Sequence, residues 1–280
     1  MKSQVSEAEA TDTPPLWALH ALPQPATQDW HRLTGGRINA VWRAGAQILK
    51  VYAPERGTTF FPNDPHAEAR ALRHLSARGL TPRLLGMTEQ GGTAIAIAAT
   101  SGDTPGPAAI ARALLALHAL PPVSQTRRVF VDPDAIKAEV ACLVPQIGQL
   151  RDLLPPEPAM VTAPPERLAL LHGDPVPANF VCDGSQCRMI DLSCACIGDP
   201  AFDLALALSP AMFALYGAGD FTDHADLFLR SYGVPDSYSR LAQWLHYRIT
   251  AYCLWKAARG DSDYLPAARL EAGHIEALAS

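Results

Sequence analysis

The pattern of apolar and polar residues changes character along the chain. In residues 28–99 short apolar runs alternate with turn-forming residues, a pattern typical of β-strands. One helix interrupts these runs: Asp64 can cap its amino end, Pro65 suits the first turn and Gly79 suits the carboxyl end. Gly45 allows a tight hairpin between two of the strands. The strands are predicted at residues 30–34, 40–44, 47–52, 82–87 and 93–99.

Beyond residue 106 the apolar periodicity becomes helical. One β-hairpin, pairing 180–181 with 188–190, interrupts this pattern. The intervening residues, 100–106, are rich in Gly, Pro, Asp and Thr and predict a hinge. Helices are predicted at 108–120, 133–154, 202–216 and 238–259.

These elements predict an α+β fold with two lobes, a small β-rich N-lobe and a larger helical C-lobe. A cleft between two such lobes is the natural place for a ligand. The predicted boundaries are a flexible tail at 1–25, the N-lobe at 26–99, the hinge at 100–106 and the C-lobe at 107–280.

Composition narrows the class of protein. The chain has 280 residues, 48% of them hydrophobic, which predicts a soluble globular protein. Its net charge is −5 and no long basic run occurs, so neither nucleic acid nor a membrane surface is an expected partner. Residues 1–15 lack the pattern of a secretory signal, and Asp203 and Pro210 interrupt the most apolar stretch. A cytoplasmic location is therefore expected; the oligomeric state stays open.

Four of the six cysteines fall in one segment. Cys182, Cys187, Cys194 and Cys196 invite a zinc interpretation, but their spacing lacks the paired C-x2-C knuckles typical of zinc sites. Reduced thiols within a buried hairpin are the favoured interpretation.

The strongest chemical signal runs from residue 171 to residue 191. Asp174, in a tight His-Gly-Asp loop, can accept the proton of an attacking hydroxyl. Asn179 and Asp191 can supply hard oxygen ligands for Mg²⁺ that carries nucleotide phosphates. Upstream, Lys50 lies within an apolar strand and, facing inward, needs a partner; Glu68 on the following helix is the natural one. The alternative for Lys50 is an edge-strand charge that points to solvent.

Four ordered blocks carry a resemblance to a known family. They are the His172-Gly173-Asp174 loop with Asn179, the Ile190-Asp191 pair, the Gly198-Asp199-Pro200 turn and the Asp203-Leu204-Ala205 segment. Together they closely resemble the aminoglycoside phosphotransferase and choline kinase family, nearest its choline/ethanolamine and thiamine kinase-like branch. The resemblance implies a protein-kinase-like fold and an enzyme that uses ATP and Mg²⁺ to phosphorylate a hydroxyl of a small molecule.

The resemblance also implies a role for each matching residue. Lys50 contacts the α- and β-phosphates while Glu68 holds it, and Gly35-Gly36 belongs to a hairpin that covers the phosphates. Asp174 is the catalytic base. The metal ligands are Asn179 and Asp191, His172 packs under the loop, Asp203 ties the loop from below, and Asp199 caps a turn.

The identity of the acceptor is the least determined property. Trp244, Tyr247 and Trp255 share one face of a predicted helix and could bind a cationic alcohol such as choline, ethanolamine or thiamine. The same stripe could be ordinary core packing. Two alternatives remain open. One is an antibiotic kinase of the aminoglycoside type, whose acidic acceptor pocket Asp220, Asp223 and Asp226 could form. The other is a nucleotide-binding pseudokinase.

Overall fold

The first half of the chain is built around an antiparallel sheet. The computed structural model describes residues 12–23, 29–34, 38–124, 126–162, 167–184 and 186–279. Within them, five strands form a sheet in the order β1-β2-β3-β5-β4. The strands are β1 (His31–Arg32), β2 (Ala40–Ala44), β3 (Gln47–Val51), β4 (Leu84–Thr88) and β5 (Ala94–Ala98).

The centre of this sheet is where Lys50 lies. Its strand, β3, pairs on one side with β2 and on the other with β5, so that Lys50 lies opposite Val41 and Ile95. The β2–β3 hairpin turns at Gly45, whose φ of 52° is in the left-handed region that favours glycine. The predicted hairpin is therefore confirmed, and Lys50 is not an edge-strand charge.

Helix α1 (Pro65–Leu75) follows the sequence prediction closely. The Asp64 side chain accepts hydrogen bonds from the backbone N–H groups of His66 at 2.8 Å and Ala67 at 3.1 Å. After a short 3-10 turn, Gly79 has a φ of 71° and ends the helical segment. Its inward face buries Glu68 together with two leucines, so the helix delivers one carboxylate into an apolar interior.

Beyond residue 106 the chain is mainly helical. One predicted helix, 202–216, is instead two helices, because Ser209 leaves the helical conformation and its Oγ caps the next one through Met212 N–H at 3.1 Å. Pro210 suits the first turn of that second helix but cannot continue the first. The helices are α2 (Pro107–His118), α3 (Pro133–Ile147), α4 (Ala201–Ala207), α5 (Pro210–Tyr216), α6 (Phe221–Tyr232), α7 (Asp236–Ala257) and α8 (Tyr264–Ala279).

Two small antiparallel sheets accompany these helices. Strand β6 (Ala169–Leu171) pairs with β9 (Cys196–Gly198), and the predicted hairpin consists of β7 (Phe180–Asp183) and β8 (Gln186–Met189). No described helix has both the length and the apolar character needed to cross a membrane.

The chain divides into two compact units. One contains the described residues of Met1–Asp103 and Val181–Ala195, and the other those of Thr104–Phe180 and Cys196–Ser280. The sequence prediction assigned all of 107–280 to the C-lobe, whereas the structure groups Val181–Ala195, and with it all of the β7–β8 hairpin except Phe180, with the sheet. Backbone hydrogen bonds explain this grouping, since Cys182 bonds to Asp103 and Met189 bonds to Leu80.

Candidate active site

A buried ion cluster lies in the first unit. The Lys50 side chain is 7% exposed, and its Nζ donates to Glu68 Oε2 and to Asp191 Oδ1, at 2.7 Å in each case. Glu68 is 1% exposed, whereas the Asp191 side chain is 45% exposed. The Tyr52 hydroxyl also donates to Glu68. The predicted pair of Lys50 and Glu68 is present, and Asp191, from the far end of the sequence motif, joins it.

Burial and charge act in opposite directions on this cluster. Burial alone would lower the pKa of Lys50, but the carboxylates of Asp191 and Glu68 outweigh it and raise that pKa. Burial raises the pKa of Glu68, and Asp191 adds to this against the opposing effect of Lys50. Lys50 is therefore a cation at any physiological pH, held in place by one buried and one solvated carboxylate.

Asp191 has an unusual backbone conformation. Its φ is 57°, the only positive φ outside glycine in the described residues. A left-handed conformation costs such a residue about 1–2 kcal/mol, which the surrounding contacts must offset. Ser193 Oγ donates to Asp191 Oδ1 at 3.1 Å, and the Asp64 N–H donates to the Ser193 carbonyl at 3.2 Å. The turn after β8 is thus tied to the start of α1, the helix that carries Glu68.

The His-Gly-Asp loop lies in the second unit and brings Asp174 and Asn179 together. Gly173, with a φ of 83°, makes the turn before Asp174. Asn179 Nδ2 donates to the Asp174 carbonyl oxygen at 2.9 Å and to its Oδ2 at 3.3 Å. Because both contacts use the amide nitrogen, the amide oxygen is the atom of Asn179 suited to a hard cation.

A fully buried carboxylate supports this loop. Asp203 Oδ2 accepts from the backbone N–H of His172 at 2.7 Å, and Oδ1 accepts from that of Gly173 at 2.9 Å. His118 Nε2 lies 3.0 Å from Asp203 Oδ2, and its Nδ1 lies 2.6 Å from the Tyr232 hydroxyl. Sequence reasoning missed His118 and Tyr232. The one available signal was the histidine that ends helix α2, whose other residues are apolar except for Arg112.

His172 and Asp199 contact other parts of the second unit. His172 is 0% exposed and stacks on Phe180 at 5.6 Å between ring centroids. The Asp199 carboxylate accepts from the Ala201 and Arg167 N–H groups at 2.9 and 3.1 Å and from Ser237 Oγ at 2.7 Å, so it fixes the turn before α4.

The candidate residues thus fall into two groups. Lys50 contacts both Glu68 and Asp191 in the first unit, and Asp174 contacts Asn179 in the second. The predicted Gly35-Gly36 contribution lies outside the described residues.

The aromatic stripe of α7 is packed rather than open. Trp244 is 1% exposed, donates from Nε1 to the Ala159 carbonyl at 3.0 Å and packs edge-on against Tyr247. Trp255 is partly exposed, but the Arg259 guanidinium covers its ring at 3.8 Å from the centroid. Because a cation of the protein already occupies that ring face, the core interpretation of the stripe accounts for these side chains better than a ligand cage does.

The acidic residues weighed for an antibiotic pocket have local contacts. Asp220 caps α6 by accepting from the Thr222 and Asp223 N–H groups at 2.8 and 3.2 Å, and Asp226 pairs with Arg230 one turn later. The Asp220 contacts are those of a helix cap, and the Asp226–Arg230 pair is typical of a solvated helix surface.

In the part of the chain that the structure describes, no three His, Cys, Asp or Glu side chains are placed to hold a metal ion by themselves. The six cysteines are all outside disulfides. Amide oxygens such as that of Asn179 and carboxylates such as that of Asp191 are the kinds of ligand that Mg²⁺ prefers.

Comparisons with known proteins cover nearly all of this chain. The model of the phosphotransferase enzyme family matches residues 29–244, a range that includes Lys50, Glu68, Asp174, Asn179 and Asp191. No curated protein gave a significant match.

Among solved structures, a choline/ethanolamine kinase family protein from Mesorhizobium loti is 22% identical with a TM-score of 0.65, over 98% of this chain and 94% of that one. Choline kinase LicA from Streptococcus pneumoniae is 15% identical with a TM-score of 0.53, over 86% and 94%. Aminoglycoside phosphotransferase APH(3'')-Id from Streptomyces rimosus, in complex with ADP and streptomycin, is 20% identical with a TM-score of 0.53, over 79% and 92%. At these identities the likeness shows a shared protein-kinase-like fold, and the family match shows that the chain belongs to the phosphotransferase enzyme family.

Proposed function

We propose that this phosphotransferase transfers the terminal phosphoryl group of ATP, with Mg²⁺, to a hydroxyl group of a small molecule. The observation that carries the proposal is the Lys50 amino group, buried and held at 2.7 Å from both Glu68 and Asp191. A lysine positioned in this way is suited to nucleotide phosphates, and one carboxylate of the cluster stays accessible to a metal. The ADP bound to the Streptomyces rimosus enzyme supports a nucleotide donor.

The roles follow from the chemistry of each side chain. Lys50 binds the nucleotide phosphates and Glu68 fixes its position. Asn179 and Asp191 hold Mg²⁺, which when bound neutralises charge on the phosphates. Asp174 orients the acceptor hydroxyl and accepts its proton at a carboxylate oxygen. Asn179 supports this role, since its amide nitrogen contacts Asp174 and limits the rotation of the carboxylate.

The acceptor in this proposal is a small-molecule alcohol. The first class of acceptor is a cationic alcohol such as choline, ethanolamine or thiamine, and the second is an aminoglycoside. Enzymes of similar structure are named for choline, for ethanolamine and for aminoglycosides. The packed stripe of α7 supplies no cation cage of its own, so other groups must recognise such an acceptor. The proposal places the reaction in the cytoplasm, where ATP is available and where disulfides, when they form, are transient.

An ADP-release assay with an acceptor panel tests the proposal. Purified protein is given ATP and, one at a time, choline, ethanolamine, thiamine and several aminoglycosides, with Mg²⁺ and then with a chelator. We expect ADP formation that requires both one acceptor and Mg²⁺. The Asp174→Asn variant should still bind nucleotide but form ADP far more slowly. Nucleotide binding without transfer to any acceptor, in protein and variant alike, would favour the pseudokinase alternative.

A further inference from the structure

The β7–β8 hairpin carries a cysteine on each strand. It begins directly after Asn179 and ends two residues before Asp191, so it joins the two candidate metal ligands along the chain. Cys182 lies on β7 and Cys187 on β8; both side chains are partly exposed, and neither is in a disulfide.

The register of the hairpin sets these cysteines opposite each other. The strands Phe180–Asp183 and Gln186–Met189 are of equal length, and a two-residue connection joins them. In such a hairpin residue 183 lies opposite 186, and therefore Cys182 lies opposite Cys187. In an antiparallel pair, opposed residues alternate between hydrogen-bonded and non-hydrogen-bonded positions. The two kinds of position differ in how close the side chains come.

Backbone hydrogen bonds show which kind of position this is. The Cys182 N–H donates to the Asp103 carbonyl at 2.9 Å, and its carbonyl accepts from the Asp103 N–H at 3.1 Å. Both groups of Cys182 therefore point away from β8. On the other strand the Met189 N–H donates away from β7, to the Leu80 carbonyl at 2.8 Å. Backbone groups two residues apart on a strand point to the same side, so those of Cys187 also point away from β7. The cysteines form a non-hydrogen-bonded pair.

This geometry suits a disulfide. Directly opposed residues place their side chains on the same face of the sheet, and in non-hydrogen-bonded pairs the Cα atoms are about 4.5 Å apart. Disulfides bridge Cα separations of roughly 4.4–6.8 Å. The other cysteines lie on helices or within buried segments: Cys142, Cys194, Cys196 and Cys253.

We propose that Cys182 and Cys187 are a redox modification site that forms a reversible disulfide across the hairpin. The oxidant is a small-molecule disulfide such as oxidised glutathione. One cysteine thiolate attacks it and releases one glutathione thiol; the second cysteine thiolate then attacks the mixed disulfide and releases the other. Two protein thiols are thereby oxidised to one disulfide while one glutathione disulfide is reduced to two thiols.

The disulfide changes the hairpin at the point where it joins Asn179 to Asp191. Disulfides most often hold Cα atoms about 5.5–6 Å apart, so the bond widens a pair that starts near 4.5 Å by about 1 Å. A displacement of that size in a positioning element can lower turnover by up to about a hundredfold. This consequence rests on the proposed function, whereas formation of the bond does not.

Peptide mapping tests the bond itself. The full chain, reduced and then incubated with oxidised glutathione, is alkylated and cleaved before aspartate residues. This cleavage separates Cys182, in peptide 174–182, from Cys187, in peptide 183–190. We expect the two peptides to stay joined and to lose both alkylation sites. Cys142→Ser should leave the joined peptides unchanged and Cys187→Ser should abolish them. Separate, fully alkylated peptides from the oxidised native protein would overturn the proposal.

Phosphoryl transfer tests the consequence. We expect oxidised protein to lose turnover by about tenfold or more and to regain it with dithiothreitol, while Cys187→Ser keeps its turnover under the same oxidant. Full turnover in protein whose peptides are shown to be joined would refute the link between the disulfide and activity. Failure of the proposed function gives a different result, namely no transfer in reduced protein although the joined peptides form.

Discussion

The most direct physical test concerns the charge balance around Lys50. Lys50→Met removes the one cation from a cluster in which Glu68 is 1% exposed and the Asp191 side chain is 45% exposed. Asp191 can be solvated, but Glu68 is left as a buried carboxylate without its counter-ion. Removing one partner of a buried pair costs about 3–5 kcal/mol, which for a protein of this size lowers Tm by roughly 10 °C.

The predicted loss depends on pH. Without Lys50 the pKa of Glu68, already raised by burial, rises further, because the strongest interaction that lowers it is gone and only the Tyr52 hydrogen bond still opposes burial. A carboxyl group whose pKa is raised by folding stabilises the native state below its unfolded pKa, and this contribution is lost as pH rises through the folded pKa. The free-energy penalty of Lys50→Met should therefore be larger near about pH 8 than near about pH 5.

Denaturant titration of matched variants measures this effect. Lys137→Met is the control: its Nζ also lies 2.7 Å from a carboxylate, that of Glu157, but both side chains are solvated. We expect the control to change the free energy of unfolding very little, since solvent screens such a pair. The double variant Lys50→Met with Glu68→Gln should recover most of the loss. Equal losses for both lysine variants, or a loss independent of pH, would refute the reasoning.

Three further outcomes are expected. Asp174→Asn should keep nucleotide binding and lower turnover by roughly 10²–10⁴-fold in the ADP-release assay, the range for losing a positioned general base; unchanged turnover would rule Asp174 out. Asn179→Ala and Asp191→Ala should each raise the Mg²⁺ concentration needed for half-maximal rate, because a ligand oxygen is lost; an unaltered Mg²⁺ titration would contradict the metal assignment. Asp203→Ala should lower the free energy of unfolding by about 2–4 kcal/mol, since it leaves buried N–H groups unpaired. His118→Phe should lower it less, and thermal or denaturant unfolding measures both.

The motif residues show how much could be predicted before the fold was known. The sequence predicted that Asp174 and Asn179 belong to one loop, and they do contact each other, because the turn around Gly173 is made by neighbouring residues. The sequence also singled out Asp191 as a candidate. It did not predict the contact of Asp191 with Lys50, 141 residues away, or its left-handed backbone.

The residues that sequence reasoning missed have remote partners. His118 contacts Asp203 across 85 residues and Tyr232 across 114, so no local pattern could relate them. The aromatic stripe of α7 shows that a pattern visible in the sequence can also have partners that the sequence does not reveal. Helical periodicity places Trp244 and Trp255 on one face, but a neighbouring carbonyl and Arg259 determine what that face contacts.

By itself the sequence determined the elements whose energies are local. The cap at Asp64, the hairpin at Gly45 and the order of strands and helices follow from backbone preferences within a few residues. Only the tertiary structure decided that Lys50 lies between two carboxylates, that Cys182 lies in a non-hydrogen-bonded pair, and that Ser209 divides a predicted helix. These features depend on contacts between distant segments, whose free energy is realised only once packing has brought those segments together.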